Sequence, residues 1–136
     1  HQGRDVPEVI AIGVAKGVNV GRPDITELAN RTLALMGATT VVADEDGHVD
    51  ARWIGDDYAV PTPEGDEAIR WAARTGGWLL DRTYSGKGCS GLLGLAAEGR
   101  FSPPGHEAND VVFLHTGGWP ALFAPGGTPR TSDSGV

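Results

Sequence analysis

A chain of 136 residues and 14.2 kDa is bounded to one domain, with enough interior for a real core. With 40% hydrophobic and 21% charged residues it is neither disordered nor membrane-spanning, and no apolar stretch approaches the ~20 residues of a membrane helix. Eleven Lys+Arg against 18 Asp+Glu leave a net charge of −7, which argues against nucleic-acid backbone binding as the main task.

Taken in chain order, the hydrophobic pattern alternates strand and helix. Val9 to Val14 is a short apolar run, as expected for a parallel strand covered on both faces. Asp24 is placed to cap a helix whose apolar positions Ile25, Leu28, Ala29, Leu33 and Met36 keep helical spacing up to Gly37. Thr39–Ala43 reads as the next strand, running into the acidic loop Asp44 to His48 and an irregular stretch to Pro61. Thr62-Pro63 starts a helix with the buried stripe Ala68, Ile69, Ala72 and Ala73, which Gly76-Gly77 end. Trp78–Leu80 is a minimal strand or extended segment, and the turn Tyr84-Ser85-Gly86 opens a helix through Leu92, Leu93, Leu95 and Ala96 to Gly99. Val111–His115 is the last strand, breaking into Thr116-Gly117-Gly118, and from Pro125 the composition predicts a disordered tail over 125–136. The whole is an α/β pattern with a parallel sheet.

Chemistry-bearing motifs are few. The lone Cys89 excludes an internal disulfide and fits a reducing compartment; inside a small-residue helix it reads as packing rather than catalysis. His1, His48, His106 and His115 have no metal-ligand spacing, and His115 at a strand end reads as a satisfied core histidine. The acidic loop lacks EF-hand spacing, because Val42 would fall at the first ligand position, so it reads as a solvated turn. No nucleophile elbow or P-loop is present. The 21 glycines are about twice the average share of ~7% and sit at the ends of apolar runs. Two glycine sites lie just past strand ends, where α/β sheets bind ligands. One is Tyr84-Ser85-Gly86 before a helix, and the other is Thr116-Gly117-Gly118. Each reads equally as a ligand loop or as an ordinary strand-to-helix turn.

Four stretches together resemble one family. Tyr58-Ala59-Val60-Pro61 is similar to its Tyr-Gly-Val-Pro; Glu67-Ala68-Ile69-Arg70 with Ala73-Arg74-Thr75-Gly76-Gly77 to its Glu-Ala-Ile-Arg…Ala-Arg-Thr-Glu-Gly helix. Leu80-Asp81-Arg82-Thr83-Tyr84-Ser85-Gly86-Lys87 is similar to its Asp-Pro-Val-Tyr-Thr/Glu-Gly-Lys turn. Val112 to Gly118, then Pro120 to Ala124, resembles its terminal strand and cofactor loop. The family is that of the D-cysteine desulfhydrases and aminocyclopropane-carboxylate deaminases, pyridoxal-phosphate (PLP) enzymes of the tryptophan-synthase-β type, fold type II. The similarity runs from about Val9 to Ala124.

The resemblance implies a three-layer α/β fold, with 1–124 as the C-terminal part of the family's large domain. It implies that Tyr84 lies beside the cofactor ring as acid, base or nucleophile, and that Tyr58 is a second active-site tyrosine near the substrate. Ser85 matches the pyridine-side position, Glu in the deaminases and Thr in the desulfhydrases; Thr116, Gly117 and Gly118 match the loop near the pyridine nitrogen. A neutral hydroxyl at Ser85 weakens the ring as an electron sink and so favours β-elimination or β-replacement over cyclopropane opening. The chain departs from the family where Arg82-Thr83 stands for Pro-Val, Gly88-Cys89-Ser90 for Ala-Met-Ala, and Trp119 for a smaller residue. The family's Schiff-base lysine and phosphate cup have no counterpart here. Lys16 and Lys87 are the lysines present, and Lys87 matches a family lysine outside that role, for which a surface or ion-pair role is expected.

Because the chain opens on His1 and matches the back of an enzyme, it is expected to be the smaller polypeptide of a split or cleaved PLP lyase. A larger companion would carry the catalytic lysine, PLP would be shared, an amino acid would be the substrate, and two heterodimers could pair. Cytoplasmic location is expected, with neither nucleic acid nor membrane as partner. The alternatives are a non-catalytic stabilising or regulatory subunit that kept the fold, and a free-standing small-ligand domain.

Overall fold

The clearest helix signals in the sequence are borne out at α2, Pro63–Gly76. Thr62 accepts the Gly65 N–H at 3.0 Å, Pro63 opens the first turn, Glu64 and Asp66 complement the positive helix end, and Gly77 closes the helix at φ 67°. Its inward stripe is Gly65, Ala68, Ile69 and Ala72; Ala73 is exposed. The computed structural model describes residues 7–14, 22–102, 105 and 110–127. In it α2 packs chiefly on α3, Ser85–Ala97, and the core consists of Ala68, Ile69, Ala72, Leu80 and Cys89, edged by Leu93 and Phe113.

Among the described residues the sheet has two parallel strands, β1 (Ile10–Ile12) and β2 (His48–Asp50), with Ile10 opposite His48 and Ile12 opposite Asp50. Gly13 N–H extends the ladder to Asp50 O at 2.8 Å. Helix α1, Arg22–Leu35, lies in the connection between them, as a parallel pair requires. The sheet rests on α3 where Ile12 lies so close to Gly91 that any Cβ there would sit 2.8 Å from it. Trp53 presses on Gly94 in the same way, leaving no room for a side chain. These glycines are interior to a helix, not at the ends of apolar runs, and their role is close approach.

Among the described residues two expected strands, 39–43 and 111–115, do not form, and 78–80, a strand or extended segment by its sequence, joins no ladder. Val42 of 39–43 pairs with a side chain instead: Asn30 donates to Val42 O at 2.9 Å and accepts its N–H at 2.8 Å, imitating a peptide neighbour. Thr26, one turn earlier, bonds the Asp44 carboxylate, so α1 docks through a polar face. Of the expected apolar stripe Ile25, Ala29 and Leu33 are half-buried while Leu28 and Met36 are left exposed, and Asp24 lies within the first turn rather than capping it. Residues 78–80 and 111–115 run without ladder partners among the described residues. In 111–115 the side chains still alternate, Phe113 and His115 half-buried and Val112 and Leu114 exposed. The acidic stretch is a single 3-10 turn, Asp44–Asp46, with no buried residue. Of the expected tail, 125–127 complete a turn, closed by Gly127 N–H to Ala124 O at 2.9 Å, and 128–136 lie outside the described residues.

Among the described residues no helix is long and apolar enough to cross a membrane, and no group of three or more His, Cys, Asp or Glu is placed to hold a metal ion.

Candidate active site

The turn before α3 is organised by Asp81, a fully buried carboxylate. It accepts the N–H groups of Thr83 and Tyr84 at 2.8 Å, that of Ser85 at 2.9 Å, and the Ser85 hydroxyl at 2.6 Å. The Ser85 N–H is a first-turn donor that the helix itself leaves unpaired, and those of Tyr84 and Thr83 lie just before it. Burial works against the charge on Asp81, but the bonds from Ser85, Tyr84 and Thr83 outweigh it and hold the carboxyl below its ordinary value. Asp81 N–H in turn donates to Ser85 Oγ at 2.8 Å. Ser85 therefore gives its proton to Asp81, accepts one backbone N–H, and keeps one lone pair.

The knot presents Tyr84 outward, 41% exposed, with its hydroxyl bonded to that of Tyr58, which is 49% exposed. The two rings lie 5.9 Å apart, tilted by 58°. The bond to Tyr58, partial burial and the negative charge of Asp81 all raise the Tyr84 phenol above its ordinary value, so at neutral pH it holds its proton. Tyr58 sits in a tight turn, with Val60 N–H to Asp57 O at 3.3 Å, in which Ala59 takes the left-handed φ of 56°.

The second glycine loop reaches the same carboxylate. A Cβ on Gly118, at φ 98°, would overlap the Asp81 carboxyl oxygens, so only glycine fits there. Gly117, at φ 117°, has no atom within 4 Å of the place of a Cβ. His115 fixes the loop's entry: its Nδ1 accepts Gly117 N–H at 3.1 Å, and its Nε2 lies 2.9 Å from the Leu79 carbonyl and 3.0 Å from the Trp119 indole nitrogen. The expected satisfied histidine is thus found, half-buried rather than in the core. Thr116 is exposed on the loop. Beyond Gly118 the chain turns through Trp119–Phe123 to Gly126, whose carbonyl takes Arg82 Nη1 at 3.0 Å. Arg82 also holds Asp66 of α2 in a paired contact of 2.5 and 2.7 Å, which gives a structural reason for arginine at this departure from the family.

Tyr58, Tyr84, Ser85 and Gly118 are thus connected directly or through one residue to Asp81, which the sequence patterns did not single out. Its signal was an Asp four residues before a helix, a capping arrangement. Lys87 corrects an expectation: it is fully buried, not on the surface and, among the described residues, not ion-paired, with Nζ 2.6 Å from Ile54 O and 3.0 Å from Asp57 O. Burial pushes the ammonium's pKa down, against the attraction of Asp57. Cys89 is buried and its thiol is pushed up to about 11, which suits packing rather than nucleophilic chemistry.

The tyrosine pair and the glycine loop form an open wall. Two clefts among the described residues lie elsewhere, one of about 550 Å³ between Glu8, His48, Asp50, Arg52 and Arg100, the other of about 260 Å³ beside Trp53 and Thr62. Ion pairs line the first: Arg52 bridges Asp50 and Glu98 at 2.6 and 2.7 Å, and Arg100 holds Glu8 at 2.5 Å.

No protein-family model matches the chain. It is similar to a 1-aminocyclopropane-1-carboxylate deaminase of Burkholderia vietnamiensis (strain G4 / LMG 22486), 35% identical over 116 residues, which cover 85% of this chain and 33% of that protein. It is also 34% identical over 117 residues to D-cysteine desulfhydrases of Salmonella typhi and Salmonella newport (strain SL254), covering 86% of this chain and 34% of each relative. The chain is therefore related to the family its motifs resemble, and it spans about a third of the length of the curated relatives it matches.

Proposed function

We propose that the chain is the C-terminal portion, over residues 1–124, of the large domain of a PLP-dependent lyase acting on an amino acid by β-elimination, β-replacement or deamination. A larger companion polypeptide completes it, supplying the Schiff-base lysine and the phosphate cup, and the chain alone is inactive. The observation that carries this proposal is the gathering of Tyr58, Tyr84, Ser85 and Gly118 about Asp81 in a chain related to the desulfhydrases and deaminases. One further feature supports a companion: Leu79, Val112 and Leu114 expose apolar side chains on segments that lack strand partners among the described residues. A neighbouring chain would cover them and extend the two strands into a three-layer sheet. Two such pairs would form a dimer of heterodimers in the cytoplasm, where a lone free cysteine is at home.

The residues present fit the ring of PLP but not its covalent anchor. Open space above Gly117 admits a flat ligand against backbone, and Ser85 has a lone pair to offer a protonated ring nitrogen. Asp81 behind it makes Ser85 a better acceptor than the lone hydroxyl expected from sequence. Lys87, buried against two carbonyls, cannot meet an aldehyde. When bound, PLP stabilises negative charge developing on the substrate's α-carbon. This chain's part is to orient and to hold a proton. Thr116, Gly117 and Gly118 line the nitrogen side, Tyr84 keeps its phenolic proton at neutral pH, and Tyr58 fixes that hydroxyl in place.

Isolation of the native complex tests the proposal. A larger chain co-purifies, the complex shows the near-visible absorbance of a PLP Schiff base, and borohydride fixes the label on the companion's lysine. Tyr84→Phe then loses turnover and keeps the absorbance. A colourless monomer without affinity for PLP sinks the idea, and a stable complex that binds no PLP identifies the non-catalytic subunit instead.

A further inference from the structure

We infer that Lys87 is a positioning residue for the tyrosine pair: its buried ammonium clamps the carbonyls of Ile54 and Asp57 and thereby sets where Tyr58 meets Tyr84. The inference rests on the proposed site only for its functional consequence; the clamp itself stands on geometry. Lys87 has no exposed surface, and its bonds at 2.6 and 3.0 Å go to backbone, not to a carboxylate. An ammonium buried without a counter-ion bonded to it is a poor way to stabilise a core, where a methionine of similar length would pack at less desolvation penalty. What it does provide is two directed bonds to a segment with no regular structure of its own.

That segment ends in the tyrosine turn. Asp57 O receives both Lys87 Nζ and Val60 N–H, and between them stand Tyr58 and the strained Ala59, at φ 56°. Asp57 Oδ1 takes the Tyr58 N–H at 2.7 Å, so the residue that Lys87 grips also anchors the Tyr58 backbone. At the other end, Lys87 stands one helical turn from Tyr84, and Gly88 N–H bonds Tyr84 O at 2.9 Å. Both phenols are therefore referenced to the first turn of α3, one directly and the other through the clamp. Without the clamp, Tyr58 hangs on a left-handed alanine turn at the surface.

The chain has two tyrosines, both in this pair, so carbon-13 labelling of its tyrosine Cζ gives two signals, free of interference even beside an unlabelled companion. In the wild type one phenol titrates above its ordinary value of 10.0. In Lys87→Met, with circular dichroism unchanged, that excess is lost and the Tyr84 phenol moves back down towards its ordinary value. In the active complex kcat falls by about 10²-fold, the scale of an ångström's misplacement, with little change in KM. Because Lys87 acts through Tyr58, adding Lys87→Met to Tyr58→Phe lowers kcat no further than Tyr58→Phe alone. Lys87→Gln, which keeps a neutral N–H donor, serves as the second variant if Lys87→Met does not fold, and shows a smaller loss of the same kind. A raised phenol that persists in the variants overturns the inference, as does multiplication of the two mutational effects. The titration needs no cofactor, so failure of the clamp and failure of the lyase proposal are told apart.

Discussion

Replacing Asp81 tests the organisation of the site at its root. The carboxylate receives four bonds, three from backbone N–H groups and one from the Ser85 hydroxyl. A hydrogen bond to a charged group contributes about 1.5–3 kcal/mol. The four do not add, because Thr83 and Tyr84 lie near the surface and water can replace part of what they lose. The buried Ser85 N–H and hydroxyl have no such substitute. Asp81→Ala leaves those two buried donors unpaired at about 1–3 kcal/mol each and should therefore destabilise the fold by about 2–6 kcal/mol. Asp81→Asn keeps the shape but turns one oxygen into an NH₂ group that faces hydrogen-bond donors, and should cost about 2–3 kcal/mol. Urea unfolding followed by tryptophan fluorescence gives these values, and pH gives the sign. The folded carboxyl titrates below its ordinary 3.8, so its contribution is complete above that pH and is lost as pH falls through the folded value. The wild-type advantage over Asp81→Asn should hold from pH 7 to about 5 and shrink towards zero in acid. Asp50, held at about 2 mainly by its bond to Arg52, is present in both proteins and cancels from the difference. An Asp81→Ala variant within 1 kcal/mol of wild type, or an Asn difference independent of pH, would refute the assignment.

Other substitutions probe the same wall. Gly118→Ala forces a methyl into the Asp81 carboxylate at a positive φ and should destabilise by about 2–4 kcal/mol; a loss under 0.5 kcal/mol by urea midpoint would show that the loop does not rest on Asp81. Ala59→Gly relieves a left-handed alanine, and after the added freedom of the unfolded chain it should stabilise by up to about 1 kcal/mol. A lower melting temperature for that variant would contradict the strained turn. Cys89, buried with its thiol pushed up to about 11, should react with a disulfide reagent at pH 8 only at the rate of unfolding, so rapid labelling of the native protein would count against its core position.

Local signals were legible where one residue decides one bond. Thr62-Pro63 and Gly77 mark α2 because a hydroxyl cap, a missing N–H and a left-handed glycine each satisfy a helix end without help from afar. The segment 39–43 defeats the same kind of reading. Its composition suits a strand, but whether a strand forms depends on what stands beside it, and Asn30 supplies the two bonds that a neighbour would have made. The glycines of α3 mislead in a similar way. At helix cost of about 0.5–1 kcal/mol each they look like breakers, until Ile12 and Trp53 are seen lying where their side chains would be.

Asp81 went unread and Lys87 was misplaced for a common reason. Sequence motifs point to groups that face a ligand, and both of these face the protein. Each is a fully buried charge whose bonds run mostly to backbone, which fixes the course of the chain rather than the identity of a partner side chain. Asp81 sets the turn that presents Tyr84 and Ser85, and Lys87 sets the turn that presents Tyr58. The two charges have opposite sign and enter the same first turn of α3, Asp81 at its free N–H groups and Lys87 from within it. An anion at a helix N-terminus is favoured by the helix dipole and a cation there is not. The position of Lys87 must therefore be held by its carbonyl bonds against both burial and the dipole, and that imbalance is what makes its replacement informative about Tyr58 rather than about stability alone.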